Sequence, residues 1–205
     1  MATGDLGELR IVGGHPALDL ANTVAPRLPD GAEYLHDPAA LLRWAQMINL
    51  IDGDEAERVG AAWQASPGTG EAALHDVLTL RALVDPVLAG HDLEALTWRW
   101  TEALGRSALE PAGDGHARLR VGTDPALTIP DRLADALVDL VRHADLSRLH
   151  SCPLPDGGCG WLFLDRSRNG TRRWCSMDDC GTVAKSRRLT ERRRKSPAAG
   201  RPGNR

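Results

Sequence analysis

The chain has 205 residues, 42% of them apolar, with 25 basic and 28 acidic side chains for a net charge of -3. That length accommodates one medium domain plus a small module, and no apolar run approaches the roughly 18 residues of a membrane-spanning helix. The mild average hides an asymmetry: residues 1–164 carry 12 basic and 24 acidic side chains, a charge of -12, whereas residues 165–205 carry 13 and 4, a charge of +9.

The opening MATGDLGELR has no charged-then-apolar leader, so a cytoplasmic location is expected. LRIV reads as a short strand, followed by a turn at Gly13-Gly14 and a helix with Pro16 near its first position. Around that turn His15, Asp19 and Asn22 form a candidate small-molecule pocket, since Asp19 and Asn22 share a helical face. The competing reading is that they cap a helix or hold a loop.

Asp37-Pro38 is a helix start, because Asp accepts from free amides and Pro lacks the orphan donor. That helix is expected to reach Asn49, and a second to cover Asp54 to Gln64 before SPGTG interrupts the chain. A longer helix follows over 71–88, which Pro86 should kink or end. Asp92 to Leu104 reads as another, and Trp44, Trp63, Trp98 and Trp100 are expected in the core. Period two over SALE and HARLRVG, around PAGDG, predicts a hairpin. From Asp131 the helical period returns, with Leu133, Leu137, Leu140 and Val141 inward and Asp131, Asp135 and Asp139 forming a solvated stripe. LSRLH is expected to be a strand.

All four cysteines then fall between Leu149 and Arg194: Cys152, Cys159, Cys175 and Cys180. Two loops each supplying two sulfurs can wrap one tetrahedral Zn²⁺ without a large core, so one structural zinc is the expected cofactor. Disulfides would use the same even count but are disfavoured in a reducing compartment. His150 is a substitute ligand candidate. Trp161 to Leu164 reads as a strand over the metal, with Trp161 and Trp174 packed on the metal loops. Residues 182–195 read as a basic helix, with Lys185, Arg188, Arg192 and Lys195 on one face.

The run GWLFLDRSRNG, then RRWCSM, Cys180-Gly181 and Ala184-Lys185, resembles the CGNR zinc-finger family of bacteria. The family's Asn-Arg is here Thr182-Val183, and the first cysteine loop is longer than its usual one. LRIVGGHPALDLANTV and YLHDPAALLRWA resemble the ABATE domain that accompanies that finger. The resemblance implies a transcriptional regulator that binds double-stranded DNA.

The expected fold is mostly α (α+β). A helical domain with a small hairpin (1–145) precedes a four-cysteine module with a basic helix (146–195) and a disordered tail (196–205). Arg172, Arg173, Lys185, Arg187, Arg188, Arg192, Arg193 and Arg194 are the candidate nucleic-acid contacts, with the first domain sensing a small-molecule effector or forming an oligomer. The rival readings are RNA binding, a protein-interaction module with a purely structural zinc, and an enzyme sited in the first domain. No phosphate loop, nucleophile elbow or zinc-protease helix favours the enzyme, so no catalysis is expected.

Overall fold

Apolar residues spaced three and four apart make the longest helix, α4 (Thr69–Leu88), the element against which the other helices of the first domain pack. Its Ala73, Leu74, Val77, Leu80, Val84 and Val87 are all buried. The computed structural model describes residues 2–27, 30–113 and 115–195, with the side chains of 188 and 191–195 outside that description. The expected tail at 196–205 lies outside the described residues.

Around α4 lie α1 (Pro16–Ala21), α2 (Pro38–Met47), α3 (Gly53–Ala65), α5 (Leu93–Gly105) and α6 (Thr128–His143). Local chemistry starts several of them. The Asp37 carboxylate accepts from Ala40 N at the head of α2, and Asp52 and Glu55 close a reciprocal capping box at the head of α3. Pro86 sits in the last turn of α4, so the one helix bond its missing donor forfeits, to Ala82 O, is lost close to the helix end. The helix ends two residues later, as left-handed Gly90 lets His91 N donate to Pro86 O at 2.8 Å. Among the described residues there are three two-stranded antiparallel sheets: β1 (Val24–Ala25) with β2 (Ala32–Glu33), β3 (Ala108–Pro111) with β4 (Ala117–Arg120), and β5 (Leu149–Ser151) with β6 (Leu162–Leu164). Residues 9–12, expected as a strand, belong to no sheet.

The expected acidic stripe of α6 is corrected at Asp131 and Asp135 and holds at Asp139. Asp131 is fully buried and receives Arg99 Nη2 at 2.9 Å together with Arg106 Nε and Nη2, each at 2.8 Å. Asp135 accepts from Trp100 Nε1 at 2.8 Å. Asp139 lies between His15 and His143, at 3.2 and 2.9 Å. Asp139 keeps its expected solvated place, 58% exposed, whereas Asp131 and Asp135 turn toward partners on α5 and, with Arg106, just after it, which make their burial tolerable. Trp98 is a second correction: it is 66% exposed, while Trp44 is fully buried.

No break in packing separates the two halves. Trp161, Phe163 and Trp174 join the hydrophobic cluster that contains Leu41, Trp44 and Val77, while Leu162 packs in the cluster of α1, α4 and α6. The cysteine-bearing half thus shares the core of the helical one. Among the described residues, no helix is long and apolar enough to cross a membrane.

Candidate metal centre

Cys152 follows β5 directly, its N–H donating to Trp161 O at 2.8 Å and its carbonyl accepting from Gly160 N at 3.1 Å. The six-residue loop to Cys159 folds on itself, with Gly157 N donating to Leu154 O and Gly158 N to Pro153 O. Gly157 is left-handed at φ 89°, and a Cβ on Gly158 would stand 2.7 Å from Cys152 Sγ. The length of this loop is therefore taken up by an internal turn. Cys175 and Cys180 are joined by one wide turn, closed by Gly181 N donating to Ser176 O at 3.1 Å. That turn runs straight into α7 (Thr182–Lys195).

These two loops bring all four sulfurs within 4.8 Å of one another. Cys159 and Cys175 are 3.4 Å apart, and Cys175 and Cys180 3.8 Å. A tetrahedral zinc with Zn–S of about 2.3 Å has S–S edges of roughly 3.8 Å, so the donor set fits one ion. A disulfide requires about 2.05 Å, and all four cysteines are free thiols. Their electrostatics agree. A hydrogen bond from Cys175 brings Cys159 down to about 6, while that same contact and burial push Cys175 up. Burial, followed by repulsion from neighbouring sulfurs, pushes Cys180 to about 12. Further thiolates accumulate only with a cation to balance them. His150 is not part of the cluster, and its ring packs against Phe163 with centroids 5.7 Å apart.

A second layer of residues holds the loops. Asp165 is fully buried and accepts from Ser167 N and Arg172 N, both at 2.8 Å, which fastens the RSRNG turn. The Ser167 hydroxyl, then the Arg172 and Ser167 amides, hold its carboxyl at about 2 against the cost of burial. Its contribution to stability is present above the ordinary carboxylate range and lost as pH falls toward 2. Arg172 turns inward: Nε donates to Trp174 O at 3.0 Å, Nη2 donates to Cys175 O, and the guanidinium lies 4.7 Å over Phe163. Arg173 pairs with Asp156, tying the second cysteine loop to the first, and remains half exposed. Trp161 and Trp174 are buried on the loops, as expected.

No sequence pattern announces the links between the halves. Arg27 N donates to Cys159 O at 2.9 Å, and Trp161 Nε1 donates to Val24 O at 2.8 Å. Asn22 makes the tightest link: its Nδ2 donates to Leu162 O and its Oδ1 accepts from Leu162 N, both at 2.8 Å. The three residues of the candidate pocket therefore do not converge on a cavity. Asn22 serves β6, and Asp19 is buried with its carboxylate on Gly13 N at 2.8 Å. Only His15 reaches a surface cleft, where it faces Asp139. Burial pushes the Asp19 carboxyl from 3.8 to about 6, against the Gly13 and Val12 amides. That contribution favours folding fully below pH 3.8 and is lost as pH rises through 6.

Asn22→Ala should strand both Leu162 backbone groups in the core and destabilise the protein by ~2–5 kcal/mol. Urea unfolding checks this, and a loss under 1 kcal/mol would mean that water replaces the amide.

A helical domain whose core continues into a four-sulfur zinc site headed by a basic helix defines a zinc-finger protein with a large accessory domain. Residues 14–144 match the family described as "Putative stress-induced transcription regulator" (ABATE), and residues 148–193 match the CGNR zinc finger. The first match spans more than half of the chain, which belongs to the ABATE family and carries a CGNR zinc finger after that domain. No curated protein matches it. At the family's Asn-Arg position, the Thr182 hydroxyl donates to Met177 O at 3.2 Å and Val183 is exposed.

Proposed function

We propose that the chain is a zinc-dependent transcription regulator that contacts double-stranded DNA through its C-terminal basic module. The observation that carries this reading is that α7 begins two residues after Cys180 and carries Lys185 and Arg187 on exposed positions. Metal binding orders the loop from which this helix springs, so a polyanion meets a fixed row of cations instead of a loose tail. Half-exposed Arg173 extends that surface. Arg172 spends its donors on the cysteine loop and acts by holding that loop in place. The side chains of Arg188, Arg192, Arg193 and Arg194 lie outside the described residues, so only their positions on α7 enter the proposal.

The acidic charge of residues 1–164 confines contact with DNA to this end. Four sulfurs saturate a tetrahedral zinc and leave no position for an activated water, which supports a structural metal and a non-enzymatic protein. Fluorescence anisotropy of a mixed-sequence duplex over a salt series tests the reading. Binding should weaken steeply with salt and vanish on chelation, and Lys185→Ala/Arg187→Ala should flatten the log–log salt slope by about 2. No binding to duplex at low salt, or tighter binding to single-stranded RNA, overturns it.

A further inference from the structure

A groove away from the cysteine-bearing half has the size and lining of a small-molecule site. Helices α4 and α5 line a groove of about 740 Å³, within the range of roughly 300–1,000 Å³ that suits a drug-sized ligand. Leu80 and Leu83 form its α4 wall, and Leu93 and Trp98 its α5 wall. Trp98 is 66% exposed and Leu93 48%, so two large apolar side chains stand in water beside a cavity they help to line. Aromatic area left in that position is available to a ligand and contributes little to the core.

Charge selects the ligand. The groove carries Asp76, Asp92, Glu94 and Arg99. Arg99 is already balanced, by Asp76 at 2.9 Å and by Asp131 at 2.9 Å, which leaves Asp92 and Glu94 as the groove's charges with no ion pair among the described residues. Asp92 heads α5 in a left-handed conformation, φ 52°, and its carboxylate makes no capping hydrogen bond to the helix. The end of α5 contributes roughly half a positive charge, less than these two carboxylates together. An indole face flanked by anionic groups attracts an organic cation, through the ring quadrupole and through direct ion pairing.

We infer that the α4–α5 groove binds a hydrophobic organic cation, its apolar body against Leu80, Leu83 and Leu93 and its charge between Trp98 and the Asp92 and Glu94 carboxylates. A second copy of the chain fits less well. A stable dimer buries about 800 Å² per partner, whereas the apolar surface here is concave and its exposed part rests on two side chains. The groove is defined without reference to nucleic acid, so its failure and that of the DNA reading are distinguishable.

Tetraphenylphosphonium and tetraphenylborate share size and shape but differ in sign, and calorimetric titration of the zinc-loaded full chain with each tests the inference. The phosphonium should bind at one site per chain and the borate at least about tenfold more weakly. Trp98→Ala and Asp92→Asn/Glu94→Gln should each weaken phosphonium binding by about tenfold. All three positions are exposed, and thermal unfolding of the variants should be unchanged. Equal binding of both ions, no binding of either, or affinity indifferent to these substitutions overturns the proposal. So does a concentration-dependent dimer that Trp98→Ala dissolves while leaving phosphonium binding intact.

Discussion

Cys175→Ser is expected to abolish stoichiometric zinc retention and to release the C-terminal half from the fold. The Cys175 sulfur lies 3.4 Å from that of Cys159 and 3.8 Å from that of Cys180, and a serine hydroxyl is a poor substitute for a thiolate toward zinc. A structural zinc supplies ~10 kcal/mol or more to such a module, and this one has few apolar residues of its own. Elemental analysis should fall from one zinc per chain to well below one. Hydrogen exchange should lose protection over residues 149–195 while the amides of α2, α4 and α5 remain protected. The damage should also spread inward, because Trp161, Phe163 and Trp174 are part of the core that holds Trp44 and Val77. A lowered melting temperature of the helical domain would report that coupling. Full zinc content with unchanged protection would show that three sulfurs suffice and that Cys175 is dispensable.

The contrast between that centre and the rest of the chain shows what a sequence carries openly. Cysteine spacing is local, and two pairs separated by fifteen residues constrain a metal site before any tertiary contact is known. Caps are local as well: Asp37 before Pro38 starts α2 where expected, and Asp52 with Glu55 starts α3 within a residue of its expected head. What stayed hidden depends on partners far away in sequence. Asn22 meets Leu162 across 140 positions, and no periodicity marks which asparagine will serve a strand edge. Arg172 and Arg173 are adjacent and chemically identical, yet one holds a loop from within and the other faces solvent, because Trp174 O and Phe163 lie beneath only the first. Trp98 shares a helix with buried Leu96 and Arg99 but stands on its exposed side, because the apolar bulk that suggested a core residue does not say which helix face a tryptophan takes.

Asp131→Ala is the second large effect, expected to cost ~3–5 kcal/mol. The reason is the company Asp131 keeps. Arg99 is only 6% exposed and depends on Asp76 and Asp131, and its Nη1 is already buried without a hydrogen-bond partner among the described residues. Removing Asp131 leaves a guanidinium in the interior with one carboxylate in place of two, and strips Arg106 of both its bonds to that residue. Urea denaturation should show a lower midpoint at an unchanged slope. Arg106→Ala alone should cost less, because Arg106 is the more exposed of the two arginines and water can hydrate what remains. A double-mutant cycle between Asp131 and Arg106 should therefore return a coupling energy below the full cost of Asp131→Ala, with the balance residing in Arg99. A cost under 1 kcal/mol for Asp131→Ala would mean that water enters to hydrate Arg99. The triad joins α4 through Asp76, α5 through Arg99 and α6 through Asp131, so it also fixes the spacing of the two helices that wall the cation groove. Asp131→Ala should then weaken tetraphenylphosphonium binding although Asp131 does not line that groove, whereas Arg106→Ala, which leaves the Asp76–Arg99–Asp131 chain intact, should not.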